Sequence, residues 1–173
     1  MAHRRLEFRM PATDAVAFDA FHYTHWRAQW DSLVRASHVL DGAPCPYVGA
    51  VTENSGRGSL GGLSMRTQFV TFERPRLAAA SMIGSAFPFS RWAASMRHEL
   101  LADGGSLLIY TYTLSASPPW LRWLIEPIVD RVFAWQTRRR FARMQRFLRR
   151  RASDVERWQR EQGLPPAAPE QAR

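Results

Sequence analysis

The sequence predicts an α+β fold: an antiparallel sheet buried on one face and covered by a single long C-terminal helix. Two runs between Arg91 and Ala116 carry the sheet. Trp92, Ala94, Met96, His98 and Leu100 share one face, opposite Arg91, Ser95, Arg97 and Glu99. After Asp103-Gly104-Gly105 the alternation resumes, with Leu108, Tyr110, Tyr112 and Leu114 opposite Thr111, Thr113 and Ser115. Period two on both sides of a glycine turn is the pattern of a hairpin with one buried face. Pro118-Pro119 then ends the strand and the period becomes helical. A one-sided sheet needs a cover, and a long amphipathic helix supplies it.

The remaining elements follow in order. Leu6, Phe8 and Met10 alternate with Arg5, Glu7 and Arg9 as a first strand, which Pro11 stops. Thr13-Asp14 offers N-cap chemistry for a short helix to about Phe21. His22 to Asp31 reads as a second short helix or a loop. Strands are expected over Val34–Leu40, Tyr47–Thr52, Met65–Phe72 and Leu77–Ile83, with Glu73-Arg74-Pro75-Arg76 as the turn between the last two. Residues 1–161 form one domain by length. The tail, 162–173, contains Pro165-Pro166-Ala167-Ala168-Pro169 and is expected to be disordered.

Within the terminal segment the charge is concentrated. The chain carries a net charge of +9 and 24 basic residues, all of them arginine. Without lysine, Schiff-base and lysine-nucleophile mechanisms are excluded. Arg138, Arg139, Arg140, Arg143, Arg146, Arg149, Arg150 and Arg151 are read as one side of the helix, opposite Phe133, Thr137, Phe141, Met144, Leu148 and Val155. A solvated outer face is the ordinary reading of such a stripe; nucleic acid or anionic lipid is the functional one. No reading motif accompanies the arginines, which argues against nucleic acid.

Before Phe133 the apolar stripe changes phase. Leu121, Leu124, Ile125, Ile128, Val132 and Trp135 lie nearly opposite the later apolar face, and Pro127 sits among them. A break at Pro127 is expected, with a separate short helix carrying Trp120 and Trp123. Packing inside the fold is the ordinary fate of this stripe. A lid at a cavity mouth, a second subunit or an anionic membrane surface, through Trp120–Val132, are the alternatives.

The lone cysteine, Cys45, excludes an internal disulfide and suits a reducing cytoplasm. No apolar run is long enough to cross a bilayer. Gly56-Arg57-Gly58-Ser59-Leu60-Gly61 spells a dinucleotide fingerprint, but strands flank it on both sides, so a glycine-rich hairpin is the better reading. His22 and His25 have possible metal spacing, with Asp19 and Asp31 nearby, yet read as surface histidines near a cavity entrance. No metal and no cofactor is expected.

One strand, two short helices, six strands and a long helix: in this order the chain resembles the START/Bet v 1-like (SRPBCC) superfamily, in its bacterial polyketide cyclase/dehydrase and lipid transport branch. The likeness covers about residues 5–158. It rests on Pro11-Ala12-Thr13-Asp14-Ala15-Val16 opening the first helix and on Trp30 just before the second strand. Phe72-Glu73-Arg74-Pro75-Arg76 and Gly104-Gly105-Ser106 serve as its two characteristic turns. The resemblance implies a helix-grip fold, a curved antiparallel sheet around the long helix with an apolar cavity between them.

Alternation then selects the side chains expected to face that cavity: Met65, Phe69, Trp92, Met96, His98, Tyr110 and Tyr112, with Trp30 at one end and Phe133 and Phe141 from the helix. Large aromatics with a few polar tips suit a hydrophobic small molecule, or they fill the space as core. The expected function is binding of a lipid, isoprenoid or polyketide-like compound for carriage or sequestration, in the cytoplasm or peripherally at a membrane. A cyclase or dehydratase is the alternative, with His98, Tyr110 and Tyr112 as candidate proton-transfer groups. A third reading is a protein whose basic helix docks on RNA or a ribosome.

Overall fold

The computed structural model describes residues 1–31, 34–56 and 64–165. Seven strands form one curved antiparallel sheet in the order β1-β7-β6-β5-β4-β3-β2. They are β1 (Ala2–Met10), β2 (Val34–Val39), β3 (Val51–Gly56), β4 (Ser64–Glu73), β5 (Leu77–Met82), β6 (Phe89–Leu100) and β7 (Ser106–Ala116). Two helices, α1 (Asp14–His22) and α2 (Thr24–Arg27), follow β1. A 3-10 turn at Pro119–Leu121 leads into α3 (Arg122–Glu161). Each strand from β2 to β6 pairs with its successor, and β1 closes against β7. This is the helix-grip arrangement that the resemblance implied.

Local chemistry explains the boundaries. Thr13 caps α1 by accepting from Val16 N at 3.4 Å. In the β6–β7 turn Gly104 has φ +82°, and a Cβ on Gly105 would lie 2.9 Å from Met10 O. Only glycine suits both positions. At the far end of α3, Gly163 takes φ +64° and Gly163 N and Leu164 N donate to Arg160 O and Gln159 O at 3.1 and 2.9 Å. This is a Schellman closure.

The predicted register of β6 and β7 holds. Met96, His98, Leu108, Tyr110, Tyr112 and Leu114 are buried, whereas Arg91, Arg97 and Glu99 are exposed. The core lies between this face and α3, where Phe141, Met144, Leu148 and Val155 are buried. Helix α1 is buried at every residue, as a helix wedged between a sheet and another helix must be. Asp19 anchors it. The carboxylate accepts Arg74 Nε and Nη2 from the β4–β5 turn, each at 2.8 Å, and Gln159 Nε2 from α3 at 2.6 Å.

Four expectations need correction. The strand placed at Tyr47–Thr52 begins only at Val51, because Ala50 N closes a turn onto Tyr47 O at 3.0 Å and Tyr47 is exposed. Helix α3 runs without a break through Pro127. The proline is the sixth residue of the helix, so its missing N–H releases only the carbonyl of exposed Trp123, near an end where few bonds are at stake. The early stripe does not pack inside: Trp120 and Trp123 are 76% and 77% exposed, and Leu124, Ile128, Val132 and Trp135 are exposed as well. Finally, Arg140 does not join the solvated arginines; its side chain turns inward and is only 17% exposed. The glycine-rich hairpin (57–61) and most of the expected tail (166–173) lie outside the described residues.

Candidate ligand cavity

Between α3 and the concave face lies a cavity of about 210 Å³. Its origin is visible in the strand register. Ala80 pairs with Ala94, and Ala78 is the neighbour of Met96, so three methyl groups occupy the middle of the concave face. Bulky residues surround them: Met65 and Phe69 on β4, Trp92 and Met96 on β6, Phe133 on α3. Small side chains ringed by large ones leave a hollow that neither the sheet nor the rigid helix can collapse to fill.

Of the ten residues expected at the cavity, Met65, Phe69, Trp92, Met96, Tyr110 and Phe133 line it, and Trp30, His98, Tyr112 and Phe141 do not. All four are buried elsewhere in the core. Trp30 donates from Nε1 to Ala20 O at 3.0 Å. Phe141 packs between Phe8 and Tyr110, at ring distances of 4.7 and 5.5 Å. Tyr112 donates its hydroxyl to Asp130 Oδ1 at 2.6 Å, and Asp130 also pairs with Arg4. His98 points inward as its register requires, but Phe18 of α1 covers it, with ring centroids 5.6 Å apart. Neither of its ring nitrogens has a hydrogen-bond partner among the described residues. Burial pushes its pKa down to about 3, so the ring is neutral at ordinary pH.

Other cavity residues were missed. The expectation of two surface histidines holds for His25, which is exposed, and fails for His22, which is buried and lines the cavity. Its Nδ1 lies 2.8 Å from Phe18 O, a distance that fits donation and leaves the lone pair on Nε2. Desolvation lowers its pKa well below the usual histidine value. The position follows Phe18 by four residues, which places both on one helical face, and that spacing was the available signal.

The polar end of the cavity consists of Arg27 on α2 and Arg140 on α3, with Asn54 and Tyr110 beside them. Asp31 holds both guanidiniums through one oxygen. Oδ2 accepts Arg27 Nε at 3.0 Å, Arg140 Nε at 2.9 Å and Arg140 Nη2. Burial alone would raise the Asp31 pKa, but Arg140 and Arg27 outweigh it and hold the carboxyl below its usual range. Burial and then the neighbouring Arg140 lower Arg27 to about 10, against the pull of Asp31, so it stays charged. Arg140 follows Thr137 by three residues and precedes Met144 by four. It therefore stands on the apolar seam of α3 by spacing, and grouping it with the surface arginines overlooked this.

The cavity continues into a groove of about 300 Å³, with Asn54, Met65, Phe133 and Gln136 common to both. The groove runs between Phe87-Pro88-Phe89 and the α3 residues Ile128, Val129 and Val132. Phe87, Ile128 and Val132 are exposed and continue into the Trp120–Trp135 stripe. Among the described residues, no helix is long and apolar enough to cross a membrane, and no three His, Cys, Asp or Glu residues gather where a metal could bind.

The sequence matches no protein-family model and no curated protein. Solved structures do resemble it. A START superfamily protein from Mycobacterium smegmatis superposes with a TM-score of 0.65 at 12% identity, over 90% of this chain and 98% of that one. A norcoclaurine synthase point mutant from Thalictrum, in complex with a transition-state analogue, gives 0.62 at 9% identity, over 87% and 96%. Ara h 8.0201 gives 0.65 at 13%, over 85% and 97%. At such identities the likeness is one of fold. The chain has the START/Bet v 1-like fold.

Proposed function

We propose that this helix-grip chain binds a hydrophobic small molecule of the lipid, isoprenoid or polyketide-like kind in the cavity under α3, and carries or sequesters it. The observation that carries this reading is the path, apolar but for Asn54 and Gln136 where the two spaces meet, from the alanine-floored cavity through the groove to an exposed apolar face. Cavity and groove together fall within the ordinary range of small-molecule sites, about 300–1,000 Å³. The likeness in fold to a synthase in complex with a transition-state analogue agrees with an organic ligand for this chain. Catalysis as a cyclase or dehydratase has less support, since His98 lies behind Phe18.

Native mass spectrometry of the purified protein should detect a co-purified apolar molecule. The variant Ala80→Phe should fold and lose it, because the new ring occupies the cavity floor. A wild-type protein that takes up no hydrophobic probe at micromolar concentration would overturn the reading.

The exposed stripe supports delivery at an anionic membrane surface. Trp120, Trp123, Leu124, Ile128, Val132 and Trp135 present apolar and amphipathic side chains beside the groove, and Arg122, Arg131, Arg138 and Arg139 flank them, all exposed. The Arg139 guanidinium lies 4.6 Å from the Trp135 ring centroid. Indole rings and arginines together suit the headgroup region, where the charge attraction is screened by salt. Vesicles containing phosphatidylglycerol should co-sediment the protein at low salt and release it at high salt. Trp120→Ala with Trp123→Ala should weaken binding by about tenfold or more. Absence of binding at low salt, or a stable dimer burying both tryptophans, would remove the membrane from the reading.

A further inference from the structure

Resting on the ligand-binding reading, one feature of the cavity narrows the class of ligand. We propose that the molecule is a hydrophobic carboxylic acid, whose carboxylate is received at the polar end by Arg140 and Arg27 and whose apolar body runs over Ala80 and Ala94 toward the groove.

The charge balance carries the proposal. Two guanidiniums stand at the cavity wall, with side chains only 14% and 17% exposed, and both lean on the single carboxylate of Asp31. No Asp or Glu side chain lines the cavity among the described residues. The wall therefore bears one positive charge in excess, in a place where water screens it poorly. A buried charge is normally paired. Here the partner missing from the protein has a place in which to sit.

Donor geometry agrees. Asp31 engages Arg140 through Nε and Nη2, and Arg27 through Nε, while Arg27 Nη2 reaches Asn54 Oδ1 at 3.4 Å. The Nη1 groups of both arginines make no hydrogen bond to the described residues. Each guanidinium has five N–H donors in a planar fork matched to a carboxylate. Both also lie against the Phe21 ring, at 4.7 and 4.9 Å from its centroid, which fixes their position before a ligand arrives. Farther along, the indole N–H of Trp92 is buried at the wall without an acceptor among the described residues. It offers a further donor to an oxygen-bearing ligand body.

The test compares lauric acid, dodecanol and methyl laurate as displacers of a dansyl-labelled undecanoic acid probe, below their micellar concentrations. The acid should bind more tightly than the alcohol or the ester by about tenfold or more, as expected for hydrogen bonds to charged donors in place of neutral ones. In Arg140→Gln the ratio of acid to alcohol affinity should fall toward one, with folding checked by circular dichroism. If that variant fails to fold, Arg27→Gln and the selectivity of the wild type still decide. Equal affinity for all three displacers would overturn the carboxylate inference and leave the cavity reading standing. Retention of full selectivity in a folded Arg140→Gln protein would overturn the assigned head-group site. Failure of every probe to bind would overturn both readings together.

Discussion

Replacing Asp19 by alanine should lower the stability of the fold by about 3–5 kcal/mol, the ordinary consequence of removing one partner of a buried ion pair. Asp19 is fully buried and joins three separated parts of the chain in one contact: α1, the β4–β5 turn through Arg74, and the end of α3 through Gln159. Its loss strands the Arg74 guanidinium, whose side chain is 16% exposed, and leaves the Gln159 amide with Ala15 O as its remaining acceptor. Urea unfolding followed by circular dichroism measures the change. Arg74→Ala introduced into the Asp19→Ala protein should add much less than it does alone, because the pair has already been broken. A loss below about 1 kcal/mol for Asp19→Ala would mean that water enters and replaces the contact.

Stability should also fall on mild acidification, before any carboxylate titrates. His98 has an unfolded-state pKa of 6.5 and a folded value of about 3, because burial penalises its charged form. Above 6.5 the ring is neutral in both states and its contribution to stability is fully present. As pH falls below 6.5 the unfolded chain takes up a proton that the native chain refuses. Stability then declines by about 1.4 kcal/mol per pH unit for each such histidine, until the folded pKa is reached. Between pH 6.5 and about pH 5 the loss from His98 alone is about 2 kcal/mol. His22, lowered in the same direction, adds to it with the same sign. Unfolding free energies measured at several pH values across this window give the slope. His98→Leu should flatten it by one histidine's share, since leucine removes the titration and keeps the apolar contact with Phe18. An unchanged slope in that variant would show that His98 becomes protonated without unfolding.

The architecture was legible because it rests on local patterns. Thr13 and Asp14 announce the start of α1, Gly104-Gly105 the last hairpin, and the even-numbered residues of β6 and β7 their buried face. Each signal spans a few residues and is decided by backbone geometry or side-chain alternation, so tertiary packing had little room to override it. Half-legible features lay where two local rules competed. Pro127 is a helix breaker by composition and a tolerated first-turns residue by position. Tyr47 has strand propensity, but it sits in a turn.

What the sequence determined by itself is which residues turn inward: His98, Tyr110 and Tyr112 face the core because the strand period is two and one register puts the apolar set inside. Which inward residues meet empty space was decided only by the tertiary structure. Phe18, eighty residues before His98 in the chain, covers it, whereas Ala78, Ala80 and Ala94 leave the hollow. Arg140 likewise comes from a distant segment, and only the packing of α3 beside the Arg27–Asp31 stretch brings two guanidiniums to one carboxylate. Alternation assigns a side to each residue. The volume left on that side depends on every element packed against it, and this is a property of the assembled fold.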